Sequence, residues 1–130
     1  SLSAGVMIVG GAPLAHVLAY SELKAVREQR EKRMKKYGLT SAAEYETFMS
    51  KHIQVDTLKK APVLKSKALR LYIGLTDRIV PTDAQLAFWR AAGEPSGAQF
   101  KSGHVMTALK TYFLKNKEIV SFFKENLAQP

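Results

Sequence analysis

The run Ala68-Leu69-Arg70-Leu71-Tyr72-Ile73 constrains the fold of this chain more than any other segment. Apart from Arg70 it is apolar at alternating and intervening positions alike, so a strand built from it buries both faces. Strands covered on both sides belong to parallel sheets flanked by helices. The surrounding pattern agrees. Val6-Met7-Ile8-Val9, closed by Gly10-Gly11, reads as a buried strand over 5–10. Ala98-Gln99-Phe100-Lys101 reads as a short third strand. Strands that alternate with helical segments predict an α/β protein with a mostly parallel sheet.

Helices fill the intervals. Pro13 suits a first helical turn, and Leu14, Val17 and Leu18 give one apolar face. From Ser21 to Tyr37 the chain is dense in charge, with a thin apolar stripe of Leu23, Val26, Arg30, Met34 and Tyr37, and Gly38 is placed to end that helix. Ser41-Ala42-Ala43-Glu44 is a capping box that opens a helix carrying Tyr45, Phe48 and Met49. Residues 14–60 thus read as one helical insertion, ended by Pro62. Thr82 with Gln85 reads as a second capping box, leading into a helix lined by Leu86, Phe88, Trp89 and Ala92 and stopped by Gly93. The amphipathic stretch from Val105 to Leu127 predicts a helix broken near Asn116. With 130 residues, the chain is one domain or a piece of one. Three strands are few for a parallel sheet, so the pattern predicts part of a larger domain with an open, adhesive inner edge.

Composition removes several classes. Without cysteine, disulfides and thiolate metal sites are excluded. No His/Asp/Glu cluster has metal-ligand spacing, and Gly10-Gly11 lacks the arrangement of a phosphate loop, so no metal and no cofactor are expected. No apolar run has the length of a membrane span, and Ser1-Leu2-Ser3-Ala4-Gly5 lacks the basic region of a signal peptide. The net charge of +9 is concentrated between Lys24 and Lys36 without a nucleic-acid motif. That segment is expected to be a solvated helix, with no nucleic-acid partner; attraction of anionic substrates or a membrane surface is the competing reading.

Two residues stand where chemistry is expected. Asp77 follows the central apolar strand and His104 follows Gly103 after the last strand, which brings an acid and a base to one edge of a parallel sheet. Open α/β sheets place their ligands at that edge. Asp77 also fits an ordinary turn, and His104 a solvent-facing helix start. Asp83, in the first turn of a helix, reads as helix-start chemistry. His16 and His52 read as surface or packing residues.

The stretch Leu71-Tyr72-Ile73-Gly74-Leu75-Thr76-Asp77-Arg78-Ile79-Val80-Pro81, with Gly103-His104 further on, resembles the C-terminal half of an α/β-hydrolase. In that family a Gly-x-x-Asp-x-x-Val-Pro pattern carries the triad acid and a later Gly-His the general base, in the chain order nucleophile, acid, base. The resemblance implies that Asp77 orients His104, that His104 is the base, that Val6–Gly11 is the strand after the nucleophile helix, and that residues 14–60 form a lid. It implies a serine hydrolase of the esterase, thioesterase or lipase-like kind, acting on a small-molecule ester.

The chain departs from the family at the nucleophile. Ser1-Leu2-Ser3-Ala4-Gly5 is the nearest approach to Gly-x-Ser-x-Gly, which makes Ser3 the candidate within the chain. Val6–Val9 after it reads as a strand, not as the helix that such an elbow requires. The expected nucleophile therefore belongs to an N-terminal half of the same domain, in the same or a separate chain, and the open sheet edge is expected to self-associate without it. A non-catalytic protein of the same fold and a basic binding module using Lys24–Lys36 are the alternatives.

Overall fold

The computed structural model describes residues 3–55 and 57–127. The chain is α/β. Strand β1 (Ala4–Ile8) is followed by helices α1 (Leu14–Tyr20), α2 (Lys24–Tyr37), α3 (Ala42–His52) and the single turn α4 (Thr57–Lys60). A 3₁₀ segment over Ala61–Ser66 leads into β2 (Ala68–Gly74), then α5 (Thr82–Ala91), β3 (Gly97–Phe100) and α6 (His104–Leu127). The three strands lie in the order β1-β2-β3, and both pairings are parallel.

The two-sided apolar character of β2 has a direct structural counterpart. Its odd-numbered residues pack under α5. Leu71, Phe88, Ala92, Ala12 and Ala61 form a buried cluster, with Met7, Leu58, Leu64, Leu69 and Trp89 against it. Burying a Phe or Leu side chain contributes about 1.5–3 kcal/mol, so this cluster is a principal source of stability for so small a sheet. The even-numbered residues face α6. There Tyr72 is buried, and Arg70 pairs with Glu118 and lies over the Phe122 ring. Glu118 reaches one guanidinium nitrogen of Arg70 from the helix, while Arg70 Nε stays buried without a hydrogen-bond partner.

Register is fixed by close backbone approach at one point. Leu71 pairs with Gly97, and a Cβ on Gly97 would lie 1.7 Å from the Leu71 carbonyl oxygen. Glycine is the residue that allows β3 to start against β2.

Several expected boundaries differ. The first strand is Ala4–Ile8 rather than 5–10. Val9 already has φ 49 and turns the chain out of the sheet, an uncommon conformation for a β-branched residue. The third strand begins at Gly97 and ends at Phe100. Helix α6 runs unbroken through Asn116, since Asn inside a long packed helix costs only a few tenths of a kcal/mol. The cap at Gly38 is as expected, with φ 66 and its amide bonded to Met34. Ser41 accepts from the Glu44 amide, but Glu44 returns its carboxylate to Thr40 rather than to Ser41. Those Thr40 bonds hold the Glu44 carboxyl below its ordinary pKa. In α2, Val26, Arg30 and Met34 are partly buried, while Leu23 and Tyr37 are exposed. Among the described residues no helix is long and apolar enough to cross a membrane.

Candidate functional site

Parallel strands end at the same edge of their sheet, and the chain uses this twice. After β2 the segment Leu75–Pro81 leaves the C-terminal edge and carries Asp77. After β3, Lys101–Gly103 leaves the same edge and His104 opens α6. The two side chains meet there: His104 Nδ1 lies 2.8 Å from Asp77 Oδ2. The Asp77 side chain is 0% exposed and that of His104 is 29% exposed, so the imidazole stands between the buried carboxylate and solvent.

The carboxylate is fully occupied. Oδ1 accepts from the backbone amides of Ile79 (2.8 Å) and Val80 (3.0 Å). Oδ2 accepts from Gln85 Nε2 at 2.8 Å as well as from His104. The Ile79 and Val80 amides and Gln85 Nε2 can only donate, so the carboxylate they surround presents an acceptor to His104. Nδ1 of His104 must then carry the hydrogen, leaving the lone pair on Nε2. No described residue hydrogen-bonds Nε2. The ring thus presents Nε2 as a hydrogen-bond acceptor on the side away from the Asp77 carboxylate.

The His104 end is held equally firmly. Ser102 and Thr107 are buried and their hydroxyls are 2.8 Å apart, and the Thr107 amide bonds Gly103 to start α6. Ser102 is thus committed to the helix start and does not serve His104. An open groove of about 460 Å³ runs beside the acid loop, lined in part by Tyr20, Glu22, Thr76, Asp77, Arg78 and Asp83.

Ser3 is not brought to this site. It is exposed and directly precedes β1, at the N-terminal edge, since Ala4 pairs with Ala68 at the start of β2. Asp77 lies beyond the far end of that strand. The separation is a full strand length, roughly 20 Å at about 3.3 Å per residue. A serine followed by a strand also lacks the strand–turn–helix geometry of a nucleophile elbow. As a partner of His104 within this chain, Ser3 is corrected to a residue at the opposite edge.

Two other expectations change. Thr82 and Gln85 do not form a capping box. Pro81 occupies the cap, Thr82 donates to the Gly74 carbonyl, and Gln85 turns inward to Asp77. Gln85 is the functional residue that sequence reasoning missed. His16 is neither a free surface residue nor simple packing. Its Nδ1 faces Glu46 at 3.0 Å and its Nε2 faces Asp83 at 2.9 Å, which ties α1 to α3 and α5. With both ring nitrogens facing carboxylates it has no lone pair directed at a ligand. Asp83, besides its place in the first turn of α5, is one end of this tie. His52 bonds the Phe48 carbonyl within its own helix.

The basic segment is partly structural. Arg30 donates to the carbonyls of Leu18 and Ser21, and Arg33 to the Tyr45 hydroxyl. Lys32, Lys35 and Lys36 are exposed.

Comparison with protein-family models, with curated proteins and with solved structures finds no match to this chain.

Proposed function

We propose that this chain is the C-terminal part of an α/β-hydrolase-fold serine hydrolase, of the esterase, thioesterase or lipase-like kind. It contributes the acid Asp77 and the base His104, and the nucleophilic serine and the oxyanion hole come from outside these 130 residues. The observation that carries the reading is the Asp77–His104 hydrogen bond at the C-terminal edge of a parallel sheet, with Nε2 directed away from the carboxylate. In that arrangement Asp77 holds one tautomer. His104 takes the proton of an approaching hydroxyl and returns it to the leaving group. In this reading the segment α1–α4 takes the place of a lid, with Tyr20 at the end of α1 beside the groove at Asp77, and the substrate is a small ester.

The second reading, a non-catalytic protein of the same architecture, is favoured by one observation: no described hydroxyl bonds Nε2. Fluorophosphonate labelling of the gene product as the cell makes it separates the two. Labelling of a serine outside residues 1–130, lost in His104→Ala, is the expected result. Absence of labelling, or labelling indifferent to His104→Ala, overturns the hydrolase reading.

A further inference from the structure

Gln85 is 0% exposed, an unusual position for an uncharged polar side chain of its length, and every one of its polar atoms is used. Nε2 donates to Asp77 Oδ2 and to the Val80 carbonyl, both at 2.8 Å, and Oε1 accepts from the Gly74 amide at 3.1 Å. The partners fix the amide's orientation. An amide N–H can only donate to Oε1, and a carbonyl and a carboxylate can only accept from Nε2.

The need for the first of these bonds lies in the sheet. Along β2 the amides alternate sides: those of Leu71 and, just past the strand, Leu75 point to β3, bonding Ser96 and Phe100. The Gly74 amide therefore points toward β1, which has ended opposite Tyr72. Gln85 supplies the acceptor that a longer β1 would have offered. From that anchor its amide reaches across the acid loop at two points, the Val80 carbonyl and the Asp77 carboxylate.

We infer that Gln85 is a positioning residue for the Asp77–His104 pair: it ties the end of β2 to the acid loop and aims Asp77 Oδ2 at His104 Nδ1. Its place in catalysis rests on reading that pair as acid and base; its effect on the imidazole does not. The two backbone amides on Oδ1 fix one oxygen but leave the carboxylate free to turn about its own axis. The Gln85 bond to Oδ2 removes that freedom. A carboxylate that turns loses the His104 proton, and the imidazole can then exchange tautomers. No hydrogen bond joins Gln85 to His104, so it acts on the imidazole through Asp77 and the loop that carries it.

The test reads the imidazole directly, in the isotopically labelled chain, by nuclear magnetic resonance. The wild-type chain is expected to show one strongly downfield Nδ1 proton that disappears in His104→Ala and in Asp77→Asn. Gln85→Met keeps the side-chain volume and removes the hydrogen bonds. It is expected to retain a folded amide spectrum and to lose that proton to solvent exchange. Gln85→Glu supplies a comparison inside one protein. Its neutral carboxyl can donate to Asp77 Oδ2, whereas its ionised form repels it. The His104 proton is then expected at acid pH and lost as the new carboxyl ionises, and the wild-type chain followed over the same pH range is the control for any change that does not involve residue 85. A folded Gln85→Met chain with the wild-type resonance, or a Gln85→Glu chain whose resonance ignores pH, reduces Gln85 to a structural residue and overturns the inference. Should Gln85→Met fail to fold, the Gln85→Glu titration decides. Failure of the hydrolase reading shows separately, as absent fluorophosphonate labelling with these resonances unchanged.

Discussion

Asp77 and His104, 27 residues apart in sequence, are joined at 2.8 Å because each leaves the same edge of the sheet on a neighbouring parallel strand. The two segments are also bonded to each other, the Leu75 amide donating to the Phe100 carbonyl and the Thr76 amide to the Ser102 carbonyl. Asp77 is held by its own loop and by Gln85, and His104 by the buried Ser102–Thr107 start of α6. The pair is therefore preorganised in the chain as it stands, with or without a hydroxyl at Nε2.

Asp77→Asn tests what the charge contributes. One Asn oxygen still accepts from the Ile79 and Val80 amides, but the new NH₂ then faces Gln85 Nε2 and His104 Nδ1, donor against donor. His104 is expected to move its proton to Nε2, visible in the imidazole nitrogen shifts. If the hydrolase proposal holds, kcat of the gene product is expected to fall by roughly 10⁴-fold, the scale seen when a triad imidazole is held in the wrong tautomer. Unchanged nitrogen shifts would show that Asp77 does not set the tautomer.

Gly97→Ala tests the close approach of β3 to β2. A methyl group 1.7 Å from the Leu71 carbonyl oxygen meets backbone, which cannot swing aside as a side chain would. The strand has to separate, with an expected loss of about 3 kcal/mol, the upper end of ordinary overpacking. The matching fall in Tm is on the order of 10 °C. Because β3 delivers His104, the imidazole resonance is expected to shift as well. A thermal melt coincident with wild type would contradict this packing.

The pH dependence of stability has an identifiable contributor on the α6 side of the sheet. The hydrogen bond from Lys115, reinforced by the charges of Lys115 and Arg70, holds the Glu118 carboxyl below its ordinary pKa against the opposing effect of burial. A group depressed in the folded state stabilises above its unfolded pKa. That contribution is lost as pH falls through the folded value, so it disappears on the acid side of the usual carboxylate range. Glu118→Gln is expected to flatten the acid limb of a denaturant-derived stability curve; a parallel limb would remove Glu118 as its source. Burial raises the Tyr72 pKa, followed by the charge of Glu118. Its stabilisation is full below the unfolded tyrosine value and is lost as pH rises through the folded one.

Helix α6 turns an apolar surface outward. Val105, Leu109, Tyr112, Phe113 and Val120 are exposed, on the side away from the buried Thr107, Thr111 and Phe122. Contiguous apolar surface of this kind marks a contact site. The chain is expected to self-associate with rising concentration in sedimentation, and Phe113→Glu with Val120→Lys to weaken that association without changing the fold. A monomer at every concentration would show that this surface and the open edge of β1 are both inert.

How much of this was readable depends on the range of the determining contacts. The β2 strand was legible because burial on two faces is written in consecutive residues. The shared edge of Asp77 and His104 was legible because it follows from strand order alone. Gln85 was not, since Thr82-x-x-Gln85 satisfies a local capping pattern equally well. What turned Gln85 inward was an unpaired amide at Gly74, visible only once β1 is known to stop opposite Tyr72. His16 failed for the same reason, its partners lying 30 and 67 residues away.

The pairing of Ala4 with Ala68 carries a kinetic consequence. Strand β1 can dock only after the whole helical segment between them has been gathered into a loop, a closure whose entropy is not repaid until the strands meet. Among the described strands, β1 also lies at one side of the sheet with β2 as its neighbour. It is the strand expected to arrive last and to leave first. Its amides should exchange with solvent well before those of β2, while the acid loop and the start of α6, which hang from β2 and β3, remain assembled.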